Sequence, residues 1–176
     1  MAFPKILKIA LLAPLLIGLT NCDRVQALFK PKAEKPSPYA FDVAIRLSPK
    51  AEAIVKQSHA GFYAKAFYYG DALPAYRKDA DDINRIYLGD ESWNYSGNAR
   101  KMHFHGEPID TSKFSETRDG QPQVMVTVAS GTPNDPVTCH HYVGPVRIAQ
   151  QQLQTLDCEL DTETYWDDQS AAASSQ

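Results

Sequence analysis

Metal-ligating side chains concentrate at two places in this chain: Met102-His103-Phe104-His105 and Cys139-His140-His141. Side chains alternate along a strand, so His103 and His105 share one face. Two imidazoles at that spacing can hold one Cu(II) or Zn(II) ion between them. His140 or His141, brought in from another strand, would extend the set. The same alternation turns Met102 to the opposite face and points His140 and His141 apart, so at most one of the two joins. The plainer reading is a pair of solvent-facing histidines on a strand whose core face carries Met102 and Phe104. An i, i+2 histidine pair is less specific than two histidines on a helical HExxH turn.

The carboxylates divide into a loop and a stripe. Asp79-Ala80-Asp81-Asp82-Ile83-Asn84 opens like a calcium loop. It then places Ile fifth, lacks Gly sixth and has no Glu twelfth, so it reads as a solvated acidic loop. Asp157, Glu159, Asp161 and Glu163 alternate along a late strand, with Cys158 and Leu160 on its other face. That stripe either guards an exposed sheet edge or forms a docking strip for a basic partner. GxSxG, SxxK, Walker and GxGxxG patterns do not occur. The chain is therefore read as non-enzymatic and without a cofactor. Aromatics crowd the middle: Tyr63, Tyr68, Tyr69, Tyr76, Tyr87, Trp93 and Tyr95. Packing in the core accounts for residues 62–69. Trp93 and Tyr95 stand among Asn94 and Ser96 near a turn and are candidates for contact with a partner.

The remaining reactive side chain is Cys22. It ends Leu19-Thr20-Asn21-Cys22, behind an apolar run from Ile9 to Leu19 headed by Lys5 and Lys8. The run matches the length of a signal-peptide core and is too short to span a bilayer. This segment resembles the signal peptide and lipobox of a bacterial lipoprotein, with Asn21 where a small residue is usual. The resemblance implies export, cleavage before Cys22, and acylation of the Cys22 thiol by chains such as palmitate. Asp23 resembles the signal that retains enterobacterial lipoproteins in the inner membrane. The expected place is thus the cell envelope, facing the periplasm, with the lipid bilayer as one partner. With Cys22 lipidated, Cys139 and Cys158 are an even pair in an oxidising compartment, and a disulfide between them is expected. It would stabilise the fold by about 3 kcal/mol on the chain-entropy model.

Removing residues 1–21 leaves 155 residues, enough for one domain and a tether. Residues 22–38 hold Pro31, Pro36 and Pro38 among lysines and read as a basic, semi-extended linker. Residues 39–176 carry 12 basic and 19 acidic side chains, a net charge of −7. A basic stem suits an anionic membrane surface, and an acidic body without a clustered basic face argues against nucleic acid. The tail over 169–176 is small and polar and is expected to be disordered.

Between them, residues 39–168 read as strands. Phe41, Val43, Ile45 and Leu47 alternate over 41–47, and Val124, Val126 and Val128 alternate over 123–129. Residues 62–69, 83–88, 93–95, 100–105, 137–143 and a stretch from Thr155 read as further strands. Gly89-Asp90 closes the one over 83–88. Ser48-Pro49 starts a short helix over 49–57, and Val146, Ala149 and Leu153 space as a second. This pattern predicts a mainly β fold, an antiparallel β-sandwich with one or two short helices. It loosely resembles the immunoglobulin-like and transthyretin-like sandwiches of bacterial lipoproteins, a likeness of architecture that carries no function. The expected role is a membrane-anchored module that binds another protein, as an inhibitor, an immunity-type lipoprotein or a part of an envelope assembly. The alternative is a Cu- or Zn-binding lipoprotein that uses the histidines.

Overall fold

The computed structural model describes residues 37–131, 136–163, 165 and 166. Cys22, the rest of the expected leader and linker up to residue 36, and the tail over 169–176 lie outside the described residues. Eight strands and two short α-helices make up the body. They are β1 (Phe41–Leu47), α1 (Pro49–Ser58), β2 (Phe62–Asp71), β3 (Arg85–Tyr95), β4 (Lys101–Phe104), β5 (Gln123–Gly131), β6 (Pro136–Cys139), β7 (Tyr142–Pro145), α2 (Val146–Gln151) and β8 (Gln154–Leu160). Single 3-10 segments cover Pro74–Asp79 and Thr111–Glu116.

The fold is mainly β, and its strands form one mostly antiparallel sheet that is nearly barrel-shaped. The two opposed layers of a sandwich are here halves of one continuous sheet. Strand order is β3-β2-β5-β6-β8-β1-β4, with β7 also paired to β5. Among the described strands, β1 and β8 are the parallel pair.

Alternation forms the core. Phe41, Val43 and Ile45 of β1, Val124, Val126 and Val128 of β5, and Met102 and Phe104 of β4 are all buried. The rings of Phe41 and Phe104 stack at 5.2 Å across the β1–β4 pair. Each such side chain contributes about 1.5–3 kcal/mol by leaving water. The first helix starts where its residues require. The Ser48 hydroxyl accepts from the Ala51 amide at 3.1 Å, Pro49 occupies the first turn, and His59 closes the helix in the left-handed region. Ala51 and Val55 turn inward onto the sheet.

Two elements depart from the pattern. Residues 137–143 are not one strand, because the chain breaks at His140-His141. β6 pairs with one end of β5 and β7 with the other. The stretch ending at Gly89-Asp90 does not end there. β3 runs on to Tyr95, with a bulge at which Tyr68 pairs with Gly89 while Tyr69 pairs with Tyr87. Gly89 sits at φ +136°, and a Cβ there would lie 2.3 Å from the Pro108 carbonyl oxygen. Only glycine meets both conditions. Before the bulge Ile86 and Leu88 face the core; after it Gly89 and Glu91 take the inward positions opposite Tyr68 and Ala66, and Trp93 and Tyr95 continue that face toward the open end opposite Ala64 and Phe62. The bulge thus carries an acidic side chain into the interior.

The disulfide expected between Cys139 and Cys158 is present, joining directly opposed residues of β6 and β8. Ser37, inside the expected linker, already belongs to the body, since its hydroxyl donates to the Gly106 carbonyl at 3.2 Å.

Candidate functional site at the β3–β4 seam

β3 and β4 are the two ends of the sheet path. They meet through side chains. The Tyr95 hydroxyl donates to the His103 carbonyl at 2.6 Å and accepts from the His103 amide at 3.0 Å. One side chain on β3 therefore satisfies both outward backbone groups of a residue on β4, which leaves that edge less open to a foreign strand.

Glu91 holds the centre of the seam, its side chain only 5% exposed. One carboxylate oxygen accepts from the Tyr68 hydroxyl at 2.5 Å and the Gly106 amide at 2.7 Å. The other accepts from the Trp93 indole at 2.8 Å and the His105 amide at 3.0 Å. Burial pushes the Glu91 carboxyl upward, but the donors from Tyr68, Trp93, Gly106 and His105 outweigh it and hold the group below the usual glutamate value. Tyr68 moves the other way: burial, then the bond to Glu91, raise its phenol far above the ordinary range. The carboxylate is thus the charged member and the phenol its permanent donor. The His105 ring lies beside it, with Nδ1 at 3.5 Å. That Nδ1 is buried and forms no hydrogen bond.

Outside this carboxylate, rings line up along the surface. Trp93 lies 4.9 Å from the His105 ring, and His105 lies 4.9 Å from the His103 ring, edge to face. His103 directs Nδ1 at Asp42 of β1 at 2.8 Å, and Lys101 approaches the other Asp42 oxygen at 2.7 Å. Burial raises the Asp42 carboxyl, and the bonds from Lys101 and His103 more than offset it, so it too titrates low. Each imidazole has Nδ1 turned to a carboxylate, and at His103 the bond to Asp42 favours the proton on that nitrogen and leaves Nε2 with a free lone pair.

The structure brings together His103, His105, Trp93 and Tyr95 from the sequence candidates and adds Glu91, Tyr68 and Asp42. It places His140 and His141 elsewhere. They stand at the β6–β7 junction, where the His140 amide donates to the Asp157 carbonyl at 2.7 Å. In the sheet order, β8 and β1 lie between β6 and β4, so neither histidine completes the pair. Among the described residues, no group of three or more His, Cys, Asp or Glu side chains is placed to hold a metal ion.

The acidic stripe is turned to internal use. Asp157 grips Arg46 with two bonds at 2.7 and 2.8 Å. Glu159 accepts from the Trp166 amide, Asp161 from the Thr138 hydroxyl, and Glu163 from the Ser48 hydroxyl. Nor do all four lie on one strand: β8 ends at Leu160 and carries only Asp157 and Glu159, and it is no edge, because it lies between β6 and β1. The acidic loop is likewise structural at its centre: Asp81 accepts from the Ile83 and Arg85 amides and from the Arg85 guanidinium.

Glu91 was missed because Gly89-Asp90 reads as the end of a strand. The available signal was a lone Gly after Ile86-Tyr87-Leu88 with Trp93 and Tyr95 resuming alternation beyond it, which marks a bulge as readily as a turn. Comparison with protein-family models, with curated proteins and with solved structures finds no match for this chain.

Proposed function

We propose that this chain is a lipoprotein anchored through Cys22 in the inner membrane, whose β body faces the periplasm and binds another protein without catalysing a reaction. The observation that carries the reading is an apolar belt on the outer face of the sheet. The register sets Phe67, Met125 and Val143 side by side on β2, β5 and β7, with Tyr69 and Tyr87 paired next to them on β2 and β3. Tyr87 is 47% exposed and Val143 is 51% exposed, with half-buried Phe67 and Met125 between them and Tyr69 buried beneath. The Phe67 and Tyr87 rings lie 5.4 Å apart, and the Arg85 guanidinium sits over Phe67 and Tyr69 at 5.3 and 5.0 Å. Aromatic side chains with a stacked arginine are typical anchors of protein interfaces, because they bury much area for little lost freedom. An outer strand face is normally polar, so a contiguous apolar belt there calls for a partner. A body of net charge −7 favours a partner with a basic rim. Trp93 adds a second exposed aromatic at the seam.

The test places a photo-crosslinking residue at position 87 or 143 in cells, with position 155 on β8 as control. One discrete adduct from 87 and 143, absent from 155 and lost in a Phe67→Ser background that keeps its melting temperature, supports the reading. No adduct, or equal labelling at all three positions, overturns it. Mass spectrometry of the mature chain checks the anchor: cleavage before Cys22 with added acyl mass is expected, and a chain retaining residues 1–21 refutes it.

A further inference from the structure

We propose that His103 and His105 form a two-imidazole site for a divalent transition-metal ion, preferring Cu(II) to Zn(II), oriented by Asp42 and Glu91 and reported by Trp93. The inference is independent of the belt on the outer face and stands or falls without it.

The two rings belong to alternate positions, His103 on β4 and His105 just past its end, and lie 4.9 Å apart. Both are accessible, with side-chain exposures of 52% for His103 and 43% for His105. Each Nδ1 faces a carboxylate, Asp42 at 2.8 Å and Glu91 at 3.5 Å. A carboxylate behind the far nitrogen is the arrangement that fixes the tautomer of a metal-ligating histidine, aims its other nitrogen and raises its basicity. It also explains the buried Nδ1 of His105, which lacks a hydrogen bond. A metal on Nε2 would make that N–H a stronger donor and draw it toward Glu91. Asp42 is shared with Lys101, whereas the Glu91 carboxylate is held by four hydrogen-bond donors. A cation at the pair would sit near both carboxylates and be drawn by their charge. With two protein nitrogens, water or a partner's side chain fills the remaining positions. Imidazole donors and the usual order of divalent affinities favour Cu(II).

Trp93 makes the site readable, because its ring lies 4.9 Å from that of His105. Paramagnetic Cu(II) on His105 would quench Trp93 emission, and Zn(II), with its filled shell, would displace the copper without quenching. The experiment titrates CuCl2 into the full chain with Cys22 blocked by maleimide. Saturable quenching at one equivalent is expected, reversed by excess ZnCl2. In Trp93→Phe the quenching should vanish while a nitrogen-coordinated Cu(II) signal persists by electron paramagnetic resonance. His103→Gln should weaken binding by about a hundredfold and Asp42→Asn by about tenfold, the latter being the usual effect of losing an orienting carboxylate. His140→Gln and His141→Gln should change nothing. Should His103→Gln or Asp42→Asn fail to fold, Cu(II) broadening of histidine ring resonances in the unaltered chain decides: broadening confined to His103 and His105 supports the site. The proposal is overturned if quenching never saturates below millimolar Cu(II), if His103→Gln leaves the affinity unchanged, or if His140 or His141 broadens first.

Discussion

The sheet has two joints that the chain closes in opposite ways. At the β6–β8 joint the backbone ladder is short, with three register pairs, and a covalent bond between Cys139 and Cys158 reinforces it. At the β3–β4 joint the link is made by side chains, Tyr95 reaching His103 and Glu91 reaching His105 and Gly106. At the first joint the reinforcing bond is a buried disulfide, which does not titrate. The second holds a charge, three aromatic rings and two imidazoles open to solvent. A covalent clamp can be chemically inert, whereas a polar clamp is built from groups that also bind and titrate. The candidate chemistry therefore sits where the sheet fails to close through its backbone.

The comparison predicts an order of effects. Cys139→Ala with Cys158→Ala should cost most, about 3 kcal/mol. It should appear as a lower urea midpoint that reductant no longer alters. Glu91→Gln comes next. Four donors converge on the carboxylate, and an amide nitrogen would confront some of them, so a loss of about 2 kcal/mol is expected by urea unfolding. The pH profile sharpens this. The Glu91 carboxyl is held below its unfolded value. Its contribution is thus complete above about pH 4.3, the ordinary glutamate value, and fades as pH falls through the lower folded one. The native chain should lose stability in acid more steeply than Glu91→Gln does, and parallel slopes would show that the seam stores no charge-dependent stability. Tyr95→Phe should cost about 1 kcal/mol, because the half-exposed His103 backbone can turn to water. Amide exchange at His103 should rise with it. Asp157→Asn should be smallest, about 0.5 kcal/mol, since its partner Arg46 is largely exposed. A larger loss there than at Glu91 would invert the comparison.

Much of the fold was legible wherever a single period ran unbroken. Strand β1, strand β5 and the helix behind Ser48-Pro49 follow their alternation or capping residues directly, and the Cys139–Cys158 bond follows from the cysteine count once Cys22 is set aside. Reading failed where the period broke. Gly89 shifts β3 by one residue, so Glu91 counts as a turn residue until the bulge is seen. His140-His141 likewise breaks an alternating run into two strands. The site was half legible. His103 and His105 share a face as their spacing requires, but Asp42 and Tyr68, which fix one histidine and Glu91, come from β1 and β2, far back in the chain. Such closure depends on sheet order, and no local pattern encodes it. The stripe from Asp157 to Glu163 misled for the same reason, because its partners Arg46, Ser48 and Thr138 lie on other elements.

The position of β1 bears on how this body responds to traction. It runs between β4 and β8, antiparallel to one and parallel to the other, and its leading end is pinned where the Gln150 amide donates to the Pro38 and Ala40 carbonyls. A tug applied at residue 37 would drag β1 lengthwise past both neighbours. The rungs on its two sides would then bear the load in shear, all at once, instead of peeling away singly. A body hung from that end would resist being pulled open far better than one gripped at β3, which has a backbone neighbour on one side alone.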